Sequence, residues 1–211
     1  MNSSAPADGG LRPTVRAYRP DDLEAVYDIC ARTAASGGDA RGTHSSDRII
    51  GDVWAAPYAT AEPQHAHILD DGADRAVGYI VGTADTAAFV EWFRSDWGPS
   101  VLARHAQDDP RDQIPLWLLG NPERMLVPEL ADYPAHLHID ILPDWQGKGL
   151  GRSLMTAFLE GLRRDGVSGV HLGVGLDNVN AQAFYQRLGF HDVPTDQFGV
   201  RYLARDTTPL T

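Results

Sequence analysis

The chain has 211 residues and a formal net charge of −11 at neutral pH. Hydrophobic residues make up 43% and charged residues 22%, as in a globular domain with a sizeable core, and the acidic balance argues against general binding of nucleic acid or anionic membranes. Cys30 is the only cysteine, which excludes an intramolecular disulfide. The sequence has no run of 18 apolar residues and no signal-peptide core, so we expect a cytoplasmic protein without membrane contact, as a monomer or a homodimer.

The first 84 residues predict a leader followed by alternating strands and helices. Residues 1–13 are rich in Ser, Ala, Pro and Gly and are expected to be disordered, so that a single domain occupies residues 14–205. His65 and His67 would share one face of a strand, but no third ligand accompanies them, so we expect surface or edge histidines and no metal site. Apolar periodicity and Gly, Pro or Asp breakers predict helices from residue 20 to about 36 and over 47–55, and strands over 14–18, 65–69 and 76–83.

Residues 85–134 form an unusually long segment between two predicted strands. They contain six prolines and three of the five tryptophans of the chain. Segments of this length inside a compact domain are usually functional lids or disordered, and the aromatic content argues against disorder. We therefore expect a packed insertion beside the functional site, with Trp92 and Trp97 as candidate contacts. A purely structural cover is the alternative.

The stretch from His136 onward combines a strand, a turn and a helix. Apolar and polar residues alternate up to Ile141, which predicts a half-buried strand, and Pro143 ends it. Gln146-Gly147-Lys148-Gly149-Leu150-Gly151 follows, and apolar residues at every fourth position then predict an amphipathic helix. The remaining elements are predicted as a strand over 169–174, a helix that ends at Gly189, a last strand over 198–203 and a polar tail over 206–211.

A strand, a glycine-rich turn and a helix N-terminus together are typical of an anion site. The first N–H groups of a helix lack intrahelical partners, the helix dipole adds positive charge, and glycines let the backbone approach a phosphate closely. Lys148 and Arg152 add cations. The loop has neither the Gly-Lys-Ser/Thr ending of a P-loop nor the Gly-x-Gly-x-x-Gly spacing of a dinucleotide-binding fold. A tight turn with surface cations is the structural alternative.

The order of these motifs resembles a known family. Q-x-x-G-x-G at 146–151, a strand, and then N-A-x-x-F-Y-x-x-L-G-F at 180–190 are similar to the acetyl-CoA-binding half of the GNAT superfamily of N-acetyltransferases. Residues 14–22 also look like the opening of many GNAT chains. The resemblance implies an α/β (α+β) fold, a single GNAT-like domain in which helices flank a mixed central sheet of about six to seven strands.

The resemblance also implies a cosubstrate, acetyl-CoA, and no metal. In that family the loop matching 146–151 holds the pyrophosphate of coenzyme A, and the strand matching 137–142 runs beside the pantetheine arm. The family position of Asn180 also lies near the coenzyme. The implied coenzyme-binding residues are Ile141, Leu142, Gln146, Gly147, Lys148, Gly149, Leu150, Gly151, Arg152, Asn178, Asn180, Phe184 and Tyr185.

One subgroup is more similar than the rest of the family. The insertion at 85–134, the segment H-I-D-I-L-P-D-W-Q-G-K-G-L-G and the segment H-L-G-V-G-L-D-N-x-N-A-x-x-F-Y resemble the acetyltransferase-like domain of animal O-GlcNAcases and its free-standing bacterial relatives. The glycosidase half of those enzymes is absent from this sequence. In such a domain the insertion at 85–134 is expected to line the acceptor side of the site.

Acetyl transfer from a thioester to an amine requires a neutral amine, a polarised carbonyl and a proton for the departing thiolate. Asp140 and His138 lie two residues apart on one face of the predicted strand, and either could accept the amine proton. We favour Asp140, because a carboxylate among apolar residues is hard to explain structurally, although a paired or solvated carboxylate is the alternative. Asp177 is a further candidate, as an acceptor contact or a helix cap. The family pattern makes Tyr185 the general acid, and tyrosine is protonated at neutral pH.

The sequence therefore predicts an acetyl-CoA-dependent N-acetyltransferase. The acetyl group would pass to a primary amine by direct attack in a ternary complex, so that the partners are acetyl-CoA and an amine acceptor. A catalytically silent acetyl-CoA-binding module is the alternative, since the glycine-rich loop supports binding in both cases. The joint presence of Asp140 and Tyr185 favours chemistry.

Overall fold

The computed structural model describes residues 12–210, so most of the expected leader lies outside the described residues. Seven strands form one sheet in the spatial order β1-β2-β3-β4-β5-β7-β6, which confirms the mixed sheet expected from the sequence. The strands are β1 (Thr14–Ala17), β2 (His67–Asp70), β3 (Ala76–Thr83), β4 (Ala135–Ile141), β5 (Gly169–Gly175), β6 (His191–Val193) and β7 (Val200–Asp206).

Eight α-helices flank the sheet within the described part of the chain. A π-helical turn at Phe93–Trp97 joins the fourth helix to the fifth, and short 3-10 turns occupy much of the rest of the segment 85–134. The helices are α1 (Leu23–Ala31), α2 (Arg48–Trp54), α3 (Ala56–Ala61), α4 (Thr86–Trp92), α5 (Gly98–Leu102), α6 (Gln113–Gly120), α7 (Leu150–Arg164) and α8 (Val179–Arg187).

The register between β3 and β4 decides which side chains share a face of the sheet. Residues directly opposite each other in an antiparallel pair project to the same side, so Tyr79 and Asp140 lie on one face, and Gly82 and Leu137 lie on the other. The Tyr79 face is covered by α1 and α3, since Cys30 of α1 contacts Tyr79 and Tyr58 of α3 contacts the histidines of β4. The Gly82 face is covered by α7. Both faces of β4 are therefore packed.

Gly82 is required where α7 packs directly on the sheet. A Cβ at this position would lie 2.3 Å from the carbonyl oxygen of His136 and 2.6 Å from Cζ of Phe158, a fully buried core residue. We expect Gly82→Ala to lower the free energy of unfolding by about 3 kcal/mol or more, because backbone cannot yield cheaply. Urea unfolding measures this. Gly120→Ala is the matched control, because nothing lies within 4 Å of its Cβ, and a similar loss in both variants would contradict the packing argument.

Three local expectations need correction. Residues 138–141 of β4 are partly exposed, as a half-buried strand requires, but His136 is only 6% exposed because α3 and α4 cover the polar face there. His65 is not a surface residue, because it lies in a 3-10 turn and is buried against α7, whereas His67 is partly exposed and has a buried Nδ1. The expected polar tail is also packed, since Thr207 is buried and bonds the carbonyl oxygens of residues 167 and 168. No helix within residues 12–210 is long and apolar enough to cross a membrane.

Candidate active site

The sheet opens between β4 and β5. These strands run parallel but pair at only two positions, Ala135 with Val170 and His136 with His171, and then separate. Leu142 donates its N–H to the carbonyl oxygen of Val77 on β3, and backbone groups alternate in direction along a strand. The N–H groups of Ile139 and Ile141 therefore point into the gap. A cleft of about 1420 Å³ occupies this gap and reaches both faces of the sheet.

One end of the cleft is the glycine-rich turn at the start of α7. Gly147 and Gly149 have φ angles of +72° and +78°, the left-handed region that favours glycine, and nothing lies within 4 Å of a Cβ built on either. Gly149 is the N-cap of α7, and no side chain caps the helix. The side-chain amide of Gln146 donates to the carbonyl oxygen of Ile141, which ties the turn to the end of β4. The first N–H groups of a 15-residue helix thus face open space.

Helix α8 forms the adjoining wall. The side chain of Asn178 accepts the N–H of Ala181 and caps the helix. The ring of Phe184 lies 3.0 Å from a Cβ built on Gly151, which explains why α7 and α8 can meet this closely. Tyr185, one position further, is 8% exposed and lines the cleft. Among the described residues its hydroxyl has no hydrogen-bond partner.

Asp140 lies in the cleft on the face covered by α1. Its carboxylate accepts a hydrogen bond from the Tyr79 hydroxyl and contacts Thr33, and no Arg or Lys of the described residues pairs with it. Desolvation by burial raises the pKa of Asp140, and the two hydroxyl contacts oppose the rise. Burial, and then the charge of Asp140, raise the pKa of Tyr185. The two groups therefore interact across the cleft.

Three histidines occupy the same face next to Asp140. The Tyr58 hydroxyl lies between Nε2 of His136, at 2.9 Å, and Nε2 of His138, at 3.1 Å, and His136 stacks on His171. Burial, and then the positive charge of Arg124, lower the pKa of His138 to about 3. Burial lowers the pKa of His136 and His171 as well. The cluster is therefore neutral at pH 7.

The cleft brings most of the predicted site residues together. Three predicted residues do not line it: Leu142 is turned into the core at 7% exposure, Lys148 lies over the Trp145 ring, and Asp177 accepts a hydrogen bond from Ser36 at the surface. Those that line it are His138, Asp140, Ile141, Gln146, Gly147, Gly149, Leu150, Gly151, Arg152, Asn178, Asn180, Phe184 and Tyr185.

The segment 85–134 contributes to the cleft through other residues than those predicted. Trp92 and Trp97 stack on each other away from the cleft, and the Trp97 indole N–H bonds the carbonyl oxygen of Asp52. The lining residues that sequence reasoning missed include Thr33, Trp54, Tyr58, Trp117, Arg124 and Tyr202. These six residues come from six separate parts of the chain, and only the cation inside the proline-flanked run at 122–128 gave a local signal.

No group of three or more His, Cys, Asp or Glu side chains within residues 12–210 could hold a metal ion. In the histidine cluster, both ring nitrogens of His136, Nε2 of His138 and Nδ1 of His171 are hydrogen-bonded to hydroxyl or carbonyl groups of the protein.

Comparison with known proteins gives consistent matches. A model of the Acetyltransferase (GNAT) family matches residues 39–190. Protein O-GlcNAcase of Rattus norvegicus is 25% identical over 186 residues, which cover 85% of this chain and 20% of that protein. Mycothiol acetyltransferase of Rhodococcus jostii is 39% identical over 108 residues, which cover 50% of this chain and 33% of that protein. The chain thus spans a third or less of these curated relatives.

The solved structure of SsHAT extends the likeness to the whole fold. It is 51% identical, the match covers 93% of this chain and 99% of that chain, and the TM-score is 0.88. The resemblance to the acetyltransferase region of O-GlcNAcases, the fold and the acyltransferase class expected from the sequence are confirmed. The chain belongs to the acetyltransferase (GNAT) family.

Proposed function

We propose that this acyltransferase moves an acetyl group from acetyl-CoA to a primary amine by direct attack in a ternary complex. Acetyl-CoA is the acyl donor expected for a member of this family. The observation that carries the proposal is the placement of Asp140 and Tyr185 in the cleft that also contains the glycine-rich turn. A carboxylate and a free tyrosine hydroxyl that interact across one cleft provide a proton acceptor and a proton donor.

The residues around the glycine-rich turn fit coenzyme A. The N–H groups at the start of α7 would hold the pyrophosphate, and Arg152 adds a cation at the same end of the cleft. The inward-pointing N–H groups of Ile139 and Ile141 would hold the pantetheine arm and the acyl oxygen, because they are the unpaired edge of β4. When bound, acetyl-CoA supplies the thioester acetyl group.

Asp140 is the better base of the two candidates on β4. A general base works best when its pKa approaches the working pH. Burial moves the pKa of Asp140 up toward neutrality, whereas it moves the pKa of His138 down to about 3. Nε2 of His138 is also engaged by the Tyr58 hydroxyl. Asp140 therefore accepts the proton of the attacking amine, directly or through water.

Tyr185 protonates the departing sulfur. Its raised pKa keeps the phenol protonated throughout the neutral range, and its hydroxyl is free to donate. The role of Asp177 is at the surface, because its carboxylate bonds Ser36 and does not line the cleft. A cytoplasmic location and a monomeric or homodimeric state stay predictions from the sequence.

The test is turnover with purified protein. Acetyl-CoA and a panel of primary amines should release coenzyme A thiol, with the acetylated amine identified by mass spectrometry. Saturable acetyl-CoA binding without transfer to any amine would favour the silent binding module.

Gly149→Ala should weaken acetyl-CoA binding at least tenfold, because the new methyl group occupies the open space in front of the first N–H groups of α7. Gly166→Ala is the matched control. Its glycine has a φ of +76° and equally open surroundings, but it follows the C-terminus of α7, far along the helix from the cleft. Both variants should lose about 1–2 kcal/mol of stability from the left-handed backbone. Calorimetry measures the acetyl-CoA affinity of both variants, and an equal change in Gly149→Ala and Gly166→Ala would contradict the placement of the pyrophosphate at the start of α7.

A further inference from the structure

Arg124 lies in the cleft without a counter-ion among the described residues. It belongs to the 3-10 turn Pro122–Met125, and its guanidinium carbon lies 4.9 Å from the centre of the Trp54 ring. Its Nε and Nη2 atoms are shielded from solvent and have no hydrogen-bond partner. No Asp or Glu within residues 12–210 forms an ion pair with it.

A buried, unpaired guanidinium is costly. Removing a cation from water carries a penalty of several kcal/mol unless a counter-charge or hydrogen bonds replace the water, and desolvation accordingly lowers the pKa of Arg124. The stacking on Trp54 offsets only part of this cost. An anion brought by a ligand would supply the missing partner.

The position of Arg124 assigns that anion to the acceptor rather than to the coenzyme. The Arg124 guanidinium lies over the Trp54 ring, whose centre is 5.3 Å from that of His138, and His138 projects to the face of the sheet covered by α1 and α3. The phosphate-binding turn begins α7, which covers the opposite face. Asp140 is two residues beyond His138 on the same face, about 7 Å along the strand.

The surroundings also define the charge of the missing group. Tyr202 lines the same cleft as Arg124, with its ring centre 6.5 Å from that of His171, and among the described residues its hydroxyl has no hydrogen-bond partner. The neighbouring histidines are neutral, because burial lowers the pKa of each. The pocket therefore offers one positive charge and one free hydroxyl, which match a monoanion. A phosphate dianion would need a second cation.

We propose that Arg124 and Tyr202 bind a carboxylate of the acceptor, so that the acceptor is a small amino carboxylate. Its amine lies toward Asp140 while its carboxylate pairs with the guanidinium, which suits bidentate carboxylate binding. This assignment of substrate class rests on the proposed acetyl transfer.

The experiment compares acceptors that differ only in charge. Glycine, β-alanine and 4-aminobutanoate form a length series, their amides remove the negative charge, and taurine replaces the carboxylate with a sulfonate. The wild type should acetylate at least one amino carboxylate with a kcat/KM well above that of its amide and of taurine. Arg124→Met should raise the KM of that acceptor about 10- to 100-fold, the loss expected for a charged hydrogen bond, and leave the KM of acetyl-CoA unchanged.

Two further variants separate this role from a structural one. Tyr202→Phe removes only a hydroxyl and should raise the same KM by a smaller factor. Arg111→Met removes an exposed cation of the same segment, paired with Asp109, and should change neither KM. Arg124→Met should melt at the same or a higher temperature, because no partner is left unpaired. A purely structural arginine would lower the melting temperature.

The possible failures are distinguishable. Turnover of amides and amino carboxylates at equal kcat/KM, unaffected by Arg124→Met, would overturn the carboxylate assignment while leaving acetyl transfer intact. A preference for taurine would indicate a sulfonate as the bound anion and would also overturn the carboxylate assignment. If no amine is acetylated, acetyl transfer fails. In that case the carboxylate assignment is tested separately, by calorimetric titration of the acetyl-CoA complex with propanoate, a carboxylate without an amine. Propanoate binding to the wild type that is lost in Arg124→Met supports the anion pocket. No propanoate binding to the wild type refutes it.

Discussion

Asp140→Asn should lower kcat for amine acetylation by about 10²- to 10⁴-fold at neutral pH, the loss typical of a missing general base. Because burial raises the pKa of the Asp140 carboxyl, the wild-type rate should rise with pH at a higher pH than an ordinary aspartate would give. The deprotonated carboxylate is the active form, so activity is lost as pH falls through this pKa. In the variant only the rise due to deprotonation of the acceptor amine should remain. Profiles of kcat/KM against pH measure both effects.

The amide should preserve the structure around it. Asparagine keeps the shape of aspartate, and its side-chain oxygen can still accept the hydrogen bond from Tyr79. Removing a buried charge that lacks a cationic partner should leave the melting temperature unchanged or higher. Asp177→Asn is the comparison, because that carboxylate lies at the surface and should affect kcat little. If Asp140→Asn retains the wild-type pH profile, the base is another group, and His138 or a water chain becomes the candidate.

Tyr185→Phe should lower kcat by about 10²- to 10⁴-fold through the loss of the proton donor to the departing sulfur. Only a hydroxyl is removed, and it has no partner among the described residues, so acetyl-CoA affinity and stability should persist. The pKa of Tyr185 is raised above its ordinary value, so the phenol stays protonated in the range where the enzyme works. The lost activity should therefore not return at any pH between roughly 6 and 9, a range that lies below the ordinary tyrosine pKa of about 10.

Steady-state kinetics at saturating acetyl-CoA measure the loss of kcat in Tyr185→Phe, and calorimetry measures its acetyl-CoA affinity directly. Tyr133→Phe is the matched control, because its hydroxyl bonds His191 outside the cleft and its loss should leave kcat near the wild-type value. A Tyr185→Phe variant with full kcat would assign protonation of the sulfur to water. A variant that loses acetyl-CoA affinity instead would make Tyr185 a binding residue.

Contiguous motifs made much of this protein predictable. The turn from Gln146 to Gly151 and the start of α7 are encoded within a few residues, because positive φ at Gly147 and Gly149 and the uncapped helix end are local properties. Asp140 and Tyr185 were found for the same reason, since each lies in a motif with its own spacing. Alternation and breakers predicted six of the seven strands but missed β6 (His191–Val193), which has only three residues, and the mixed sheet itself was implied by the resemblance. The sequence did not show which way the side chains of Leu142 and Lys148 project: Leu142 is buried in the core, and Lys148 lies over the Trp145 ring.

The tertiary structure decided what depends on burial and long-range contact. The sequence placed Asp140 and His138 on one face and favoured Asp140 as the base, but only packing from α1 and α3 shifts their pKa values in opposite directions. The gap between β4 and β5 depends on the pairing of two strands more than thirty residues apart, and the cleft in it gathers Tyr58, Arg124 and Tyr202 from distant parts of the chain. The sequence by itself thus determined the family and the glycine-rich turn, because those signals are local. The charge states of the groups in the cleft were decided by the fold, because desolvation and partner choice exist only once the chain is packed.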